Sequence, residues 1–128
     1  MSIEWKYVKP LNDKKSVSAF LIEHSIVLPL DLVKVLETYN GGRPSDKRIE
    51  VIDGREFVFK SLLSYNKDDL ETIYSIYPIF EETSCFPFAT DPSGNIICYD
   101  TEKEEYVLYE HETDSYVEIV SMKAIINK

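Results

Sequence analysis

The stretch that decides the fold is FPFATDPSGNIICYD, residues 86–100. Two apolar runs flank a cluster, Asp91 to Asn95, of residues that tolerate the backbone angles of a tight bend. An EF-hand calcium loop requires glycine at its sixth position and a bidentate glutamate at its twelfth. Here the glycine is the fourth residue of the cluster, and proline is the second. The stretch therefore predicts a hairpin bend between two strands rather than a metal loop.

The C-terminal third continues as strands separated by polar turns. NIICYD, YVLYEH and YVEIV are rich in β-branched and aromatic residues, and the turns TEKEE and ETDS separate them. Strands joined by such short turns pair antiparallel with their neighbours. We therefore predict a meander, followed by a short helix, MKAIINK, that Ser121 would cap.

Two amphipathic helices are predicted ahead of the strands. The first runs from an N-cap at Asp13 to His24. The second begins at Pro29, because proline is well tolerated in the first helical position. It ends at Asn-Gly-Gly, residues 40–42, because glycine readily adopts the left-handed conformation that closes a helix.

The middle of the chain predicts a hairpin and a third helix. RIEVID and REFVF flank Asp53-Gly54, a pair typical of a type I′ turn. Residues 67–77 have apolar side chains at helical spacing, and Pro78 is expected to end that helix. The prediction is the α+β class: N-terminal helices packed on a mostly antiparallel, meander-like sheet, in a single domain spanning residues 1–128.

Charge restricts the class of partner. The chain has 14 Lys and Arg against 23 Asp and Glu, a formal net charge of −9, so it repels nucleic acid and anionic lipid surfaces. No apolar run reaches the roughly 20 residues of a membrane span, and Glu4, Lys6 and Lys9 interrupt any signal-peptide core. We expect a cytoplasmic protein, monomeric or weakly dimeric. Cys85 and Cys98 are expected to be buried reduced thiols, with a disulfide across the hairpin as the open alternative.

The sequence offers little for catalysis. Its two histidines are His24, on an apolar helix face, and His111, whose neighbours Glu110 and Glu112 would point to the opposite face of a strand. The sequence contains no nucleophile elbow, zinc-binding HExxH or phosphate-binding glycine loop. We expect no enzymatic activity, no cofactor and no metal. A small hydrolase that uses His24 or His111 with an acid is a distant alternative.

The acidic segment between Asp91 and Glu118 is the candidate binding site. Lys103 is the only base in that interval, and tyrosines are interleaved with the acids. Such a surface combines steering charge with amphipathic anchor residues. The turns at 101–105 and 112–115 are expected to gather carboxylates on one rim, although the tyrosines could equally belong to the sheet core. The predicted partner-binding residues are Tyr99, Asp100, Glu102, Glu104, Glu105, Tyr106, Tyr109, Glu110, Glu112 and Asp114.

Three stretches resemble signatures of the SUKH superfamily. They are LPLDLVKVLETYNGG (residues 28–42), FPFATDPSGNIICYD (residues 86–100) and VLYEHETDSYVEIVSMKAII (residues 107–126), in the family's order. The similarity covers about residues 26 to 128. Tyr109 and Met122 stand where the family often has tryptophan and phenylalanine, so aromatic packing there would differ.

The resemblance implies a non-enzymatic binding domain. Many bacterial members are immunity proteins that neutralise a polymorphic toxin, frequently a nuclease, made by the same cell. Eukaryotic relatives are interaction hubs in cell-wall and signalling regulation. The expected function is therefore neutralisation of a basic toxin domain by protein–protein docking, with an intracellular adaptor as the alternative. The resemblance also implies fold-shaping roles for Leu28, Pro29, Asn40, Gly41, Gly42, Pro87, Asp91 and Gly94.

Overall fold

The structure is a computed structural model that describes residues 3–126. Its helices are α1 (Ser16–Glu23), α2 (Leu30–Thr38) and α3 (Ile73–Phe80). Its strands are β1 (Trp5–Lys6), β2 (Arg43–Pro44), β3 (Arg48–Val51), β4 (Glu56–Val58), β5 (Ser61–Leu62), β6 (Cys85–Thr90), β7 (Ile96–Asp100), β8 (Glu105–Glu110) and β9 (Ser115–Met122).

Seven of the strands form one antiparallel sheet, in the order β4-β3-β9-β8-β7-β6-β5. β1 and β2 form a separate two-stranded sheet. Because β6 to β9 pair in sequence order, the predicted meander is confirmed, and so is the α+β class. The β3–β4 hairpin joins the sheet through β9, where Ile49 pairs with Met122. No local sequence pattern indicates this long-range pairing.

Strand alternation divides the side chains of the large sheet between two faces. Ile97 and Leu108 belong to a core that α1 and α2 complete with residues such as Phe20. Val107, on the other face, packs in a smaller cluster with Phe80 of α3. We call the first the helix-covered face and the second the open face.

The predicted hairpin at Asp53-Gly54 is present, but its turn type differs from the prediction. The Gly54 N–H donates to the Val51 carbonyl at 3.0 Å, and the Val51 N–H donates to the Arg55 carbonyl at 3.1 Å. Gly54 has a φ of +93°, whereas Asp53 is not among the residues with positive φ. A type I′ turn needs positive φ at both central residues, so the loop is the three-residue form that ends in a left-handed glycine.

Two helix boundaries also differ from the prediction. Pro78 lies inside α3, which begins at Ile73 after a Thr72 cap and continues to Phe80. Proline at the sixth helical position removes the hydrogen bond to the Tyr74 carbonyl, and its ring crowds that carbonyl. Burial of Phe80 in the next turn favours continuation of the helix despite this cost. Leu70, predicted within the helix, lies before it and is 98 % exposed.

The predicted N-terminal boundaries of α1 and α2 and the predicted C-terminal helix also differ from the structure. Asp13 does not cap α1, because its carboxylate accepts the Lys15 N–H at 2.9 Å in a turn that precedes the helix. Pro29 is the cap residue of α2 and not its first residue. The predicted C-terminal helix is wrong within the described residues: Ser121 lies in β9, and residues 123–126 form a turn. Residues 127 and 128 of that prediction lie outside the described residues.

Pro87 lies in an interior strand, where proline is unusual. β5 pairs with β6 only at Ala89 and Thr90, so the outer edge of β6 at Pro87 faces no strand. The register of β6 against β7 also shifts between Pro87 and Ala89. The missing N–H therefore breaks no ladder hydrogen bond on that outer side.

The two cysteines are free, buried thiols, as predicted. Cys85 and Cys98 belong to the cluster around Phe80 on the open face. Burial raises the pKa of the Cys85 thiol to about 11, and it raises the pKa of Cys98 well above its ordinary value. Both are therefore protonated at neutral pH and unreactive as nucleophiles.

Candidate protein-docking surfaces

The acidic segment does not form one rim, so that prediction is wrong. Asp100 pairs with Glu105 across the β7–β8 turn, whereas Glu110 pairs with Ser115 across the β8–β9 turn. Successive turns of an antiparallel meander lie at opposite ends of the sheet. The six residues of β8 separate these two turns by about 17 Å, at roughly 3.4 Å per residue.

Asp100 supports its own turn. It is buried, and one carboxylate oxygen accepts the Glu102 N–H at 3.0 Å, the Lys103 N–H at 3.1 Å and the Ser84 hydroxyl at 2.9 Å. Desolvation raises the pKa of Asp100, but these hydrogen bonds outweigh it, and the pKa lies below its ordinary 3.8. This carboxylate therefore holds the β7–β8 turn in place.

The Asp100 interactions predict a pH-dependent contribution to stability. Because the folded-state pKa is depressed, the contribution is present above pH 3.8 and is lost as the pH falls through the folded pKa. Asp100→Asn should lower the free energy of unfolding at pH 7 by about 1 kcal/mol. The gap between variant and wild type should narrow in urea denaturation at pH 3. Glu102→Gln is the control, and a gap that stays constant with pH would contradict the assignment.

At the opposite end, two further acids are engaged within the fold. Arg55 donates to both oxygens of Glu110, at 2.7 and 2.9 Å, and also forms an ion pair with Asp53. The Tyr109 hydroxyl donates to Asp114 at 2.6 Å. Of the predicted acids, Glu110 alone forms an ion pair within residues 3–126. Asp100 and Asp114 are held by hydrogen bonds, which leaves Glu102, Glu104, Glu105 and Glu112 as the predicted acids whose carboxylates are not engaged among the described residues.

The predicted tyrosines separate onto the two faces of the sheet. Tyr99 and Tyr106 pack edge-to-face on the helix-covered face, with ring centroids 5.1 Å apart. Tyr109 packs against Phe80 and Tyr116 on the open face, at 5.3 and 5.2 Å. The four rings therefore do not form one surface.

A groove on the helix-covered side brings two of these tyrosines together with residues from distant parts of the chain. It has a volume of about 550 Å³ and lies between the N-terminal strand, α2 and the β7–β8 turn. Trp5 stacks on Tyr39 with centroids 5.0 Å apart and an interplanar angle of 10°. Tyr99 and Tyr106 also line the groove. We call it the aromatic groove.

Two carboxylates stand at the aromatic groove. Burial raises the pKa of the Tyr106 hydroxyl to about 12, with smaller contributions from the charges of Tyr99 and Asp31. Burial also raises the pKa of Tyr99, with Glu104 as the largest charge contribution. Asp31 and Glu104 both line the groove. Their negative charges therefore lie near the hydroxyl groups of Tyr99 and Tyr106.

The open face carries three carboxylates that are not among the predicted partner-binding residues, together with one that is. Glu50 of β3, Glu56 of β4 and Glu118 of β9 each alternate with residues packed in the main core, so they point to the open face. Glu105 of β8 points there for the same reason. We call these four residues the acidic sheet surface. The alternation in RIEVID and REFVF was the signal that could have revealed Glu50 and Glu56.

The acidic sheet surface has apolar side chains beside it. Val58 of β4 is 49 % exposed, and Val120 and Tyr116 of β9 are 50 % and 43 % exposed. Single exposed apolar side chains are common on protein surfaces, so these three residues add apolar contact area beside the carboxylates but do not by themselves mark an interface. Arg48 is the basic residue in the same row of β3 as Glu50.

The histidines and the Asp91 turn are engaged in packing and hydrogen bonding. His24 packs on the rings of Phe20 and Tyr77, at 4.3 and 4.6 Å. The His111 Nε2 lies 2.8 Å from the Ser93 carbonyl, and its ring lies against Gly94. Among residues 3–126, no three or more His, Cys, Asp or Glu side chains are placed to hold a metal ion. None of the described helices is long and apolar enough to cross a bilayer.

Comparisons with known proteins add one positive finding. A family model described as SUKH_6, SMI1-KNR4 cell-wall, matches residues 22–122. No curated protein and no solved structure matches the chain significantly. The matched segment contains the acidic sheet surface and most of the aromatic groove, but it excludes Trp5.

Proposed function

We propose that this chain, which belongs to the SUKH_6 family described as SMI1-KNR4 cell-wall, is an immunity protein that neutralises a basic toxin domain by docking. The SUKH resemblance implies this role for many bacterial members. The acidic sheet surface is the docking site that the geometry supports best. Docking there involves no covalent chemistry, so the chain acts as an inhibitor and not as an enzyme.

The observation that carries the proposal is the pairing of like charges on adjacent strands of the open face. Glu50 stands directly opposite Glu56 in the β3–β4 register. Like charges placed opposite each other destabilise a sheet. Neither glutamate forms an ion pair within the described residues. A basic partner would relieve this repulsion on binding. The two glutamates therefore destabilise the free protein slightly and stabilise the complex.

The overall charge favours the same class of partner. With a net charge of −9, the protein attracts a cationic domain and can raise its association rate roughly ten- to a thousandfold at low salt. Complementary charges across an interface act mostly on the association rate and on specificity. We therefore expect an association rate that falls steeply as the salt concentration rises, with less change in dissociation.

The test begins with the neighbouring genes: if one encodes a secreted protein with a cationic C-terminal domain, binding of that domain is measured by calorimetry. The triple variant Glu50→Lys, Glu56→Lys, Glu118→Lys should weaken one-to-one binding by about thirtyfold, since three exposed ion pairs contribute roughly 2 kcal/mol together. The matched control is Glu37→Lys, Asp68→Lys, Glu81→Lys, which changes the net charge equally at exposed sites elsewhere.

Each outcome has a defined meaning. Equal loss in both triple variants would show that net charge, and not the acidic sheet surface, governs binding. Unchanged binding of the Glu50, Glu56 and Glu118 variant would refute this docking face. A neighbouring gene without a secreted cationic domain, or a domain that does not bind, would favour the adaptor alternative.

A further inference from the structure

We propose that the aromatic groove receives an arginine side chain of the partner protein. This inference rests on the proposed function in one respect, namely that the ligand is a protein. It concerns a different surface, because the groove lies on the helix-covered side and the acidic sheet surface lies on the open face.

The walls of the groove suit a flat cation. Trp5 and Tyr39 stack nearly parallel, and Tyr99 meets Tyr106 edge-to-face. Aromatic faces attract cations through their quadrupole, and tryptophan does so most strongly. Arginine is favoured over lysine because its guanidinium is planar, is weakly hydrated and stacks on rings.

The charges at the groove favour a positively charged ligand. Asp31 comes from the first turn of α2, and Glu104 comes from the β7–β8 turn. Of the described residues that line the groove, none is lysine or arginine. A guanidinium that lies in the groove against the free face of a ring would share the groove with these two carboxylates, which accept its forked donors. An uncharged apolar side chain would fill the same volume but would gain no attraction from the two exposed carboxylates.

The backbone conformation of Glu104 permits a substitution that tests binding without lowering stability. Its φ is +55°, in the left-handed region, where asparagine is better tolerated than glutamate. Glu104→Asn therefore removes the charge while keeping or slightly improving the turn. A variant that melts no lower than wild type and yet binds less strongly cannot owe its defect to unfolding.

Trp5 provides a direct probe, because it is the only tryptophan in the chain. The full chain is titrated with a five-residue capped peptide, Gly-Leu-Arg-Leu-Gly, and with the same peptide carrying citrulline, which is neutral and isosteric. The arginine peptide should change Trp5 fluorescence saturably, and the citrulline peptide should bind at least tenfold more weakly. The double variant Asp31→Asn, Glu104→Asn should weaken arginine-peptide binding about tenfold.

The triple variant of the acidic sheet surface serves as the control and should bind the peptide as wild type does. Equal binding of the arginine and citrulline peptides, or undiminished binding by the double variant, would overturn the inference. Because the titration contains no toxin domain, it can succeed when the toxin assay fails. Toxin binding with no response of Trp5 would refute the groove alone.

Discussion

Asn40→Ala is expected to lower the free energy of unfolding by about 3 kcal/mol, the largest effect of a single polar substitution in this chain. Asn40 is 1 % exposed. Its amide donates to the Lys9 carbonyl at 2.9 Å and to the Ser64 hydroxyl at 3.1 Å, and its oxygen accepts the Tyr65 N–H at 2.8 Å. One side chain thus joins the N-terminal segment, the end of α2 and the segment after β5. Truncation leaves buried polar groups of all three without partners.

The measurement is urea denaturation followed by circular dichroism and by Trp5 fluorescence. Asn40→Asp should be destabilised as well, because it preserves shape but loses both donated hydrogen bonds. Asn12→Ala is the matched control, since Asn12 is exposed and forms no hydrogen bond through its side chain in the described structure. A decrease of less than 1 kcal/mol in the free energy of unfolding of Asn40→Ala would contradict the conclusion that Asn40 joins the three segments.

Asp91→Ala is expected to cost nearly as much, about 3 kcal/mol, because it removes three hydrogen bonds to a buried carboxylate. Oδ1 of Asp91 accepts the N–H groups of Ser93 and Asn95 at 2.9 and 2.8 Å, and Oδ2 accepts the Asn95 side-chain amide at 2.9 Å. Asn95 in turn accepts the His111 N–H at 3.2 Å, which ties this bend to the β8–β9 turn. Loss of Asp91 should therefore loosen two hairpins at once.

Thermal melting should show a decrease in Tm of roughly 10 °C for Asp91→Ala. Asp91→Asn should lie between that variant and wild type, because its oxygen can still accept two backbone N–H groups while its amide faces the Asn95 donor. The exposed Asp68→Ala serves as the control. Equal stability of Asp91→Ala and wild type would show that the bend is held by its backbone alone.

Features that depend on neighbouring residues were predicted well. The meander and the Asp53-Gly54 hairpin follow from strand alternation and turn chemistry, both of which act over a few residues. The turn type at Asp53-Gly54 and the helix caps at Asp13 and Pro29 were predicted wrongly although they are local features. The larger errors lie where a distant contact overrides a local preference. Pro78 should end a helix, yet burial of Phe80 extends α3 beyond it, and β9 absorbs the residues predicted to begin a last helix.

The grouping of the candidate binding residues on one rim was predicted wrongly, because it depends on where side chains point. Asp100 and Glu110 lie in the predicted acidic segment, but both are engaged within the fold. Glu50 and Glu56 lie outside that segment and yet belong to the acidic sheet surface. Charge density along the chain shows how many carboxylates exist, whereas only the strand register shows which of them share a face.

The sequence alone determined the α+β class, the order of the meander strands, the positions of the bends and the net negative charge of the chain. These properties follow from composition and from interactions within a few residues. Only the tertiary structure decided that the acidic turns lie at opposite ends, that β3 pairs with β9, and that Trp5 and Tyr106 line one groove. The physical reason is that strand register and helix packing bring together residues far apart in the chain, and no local preference specifies those contacts.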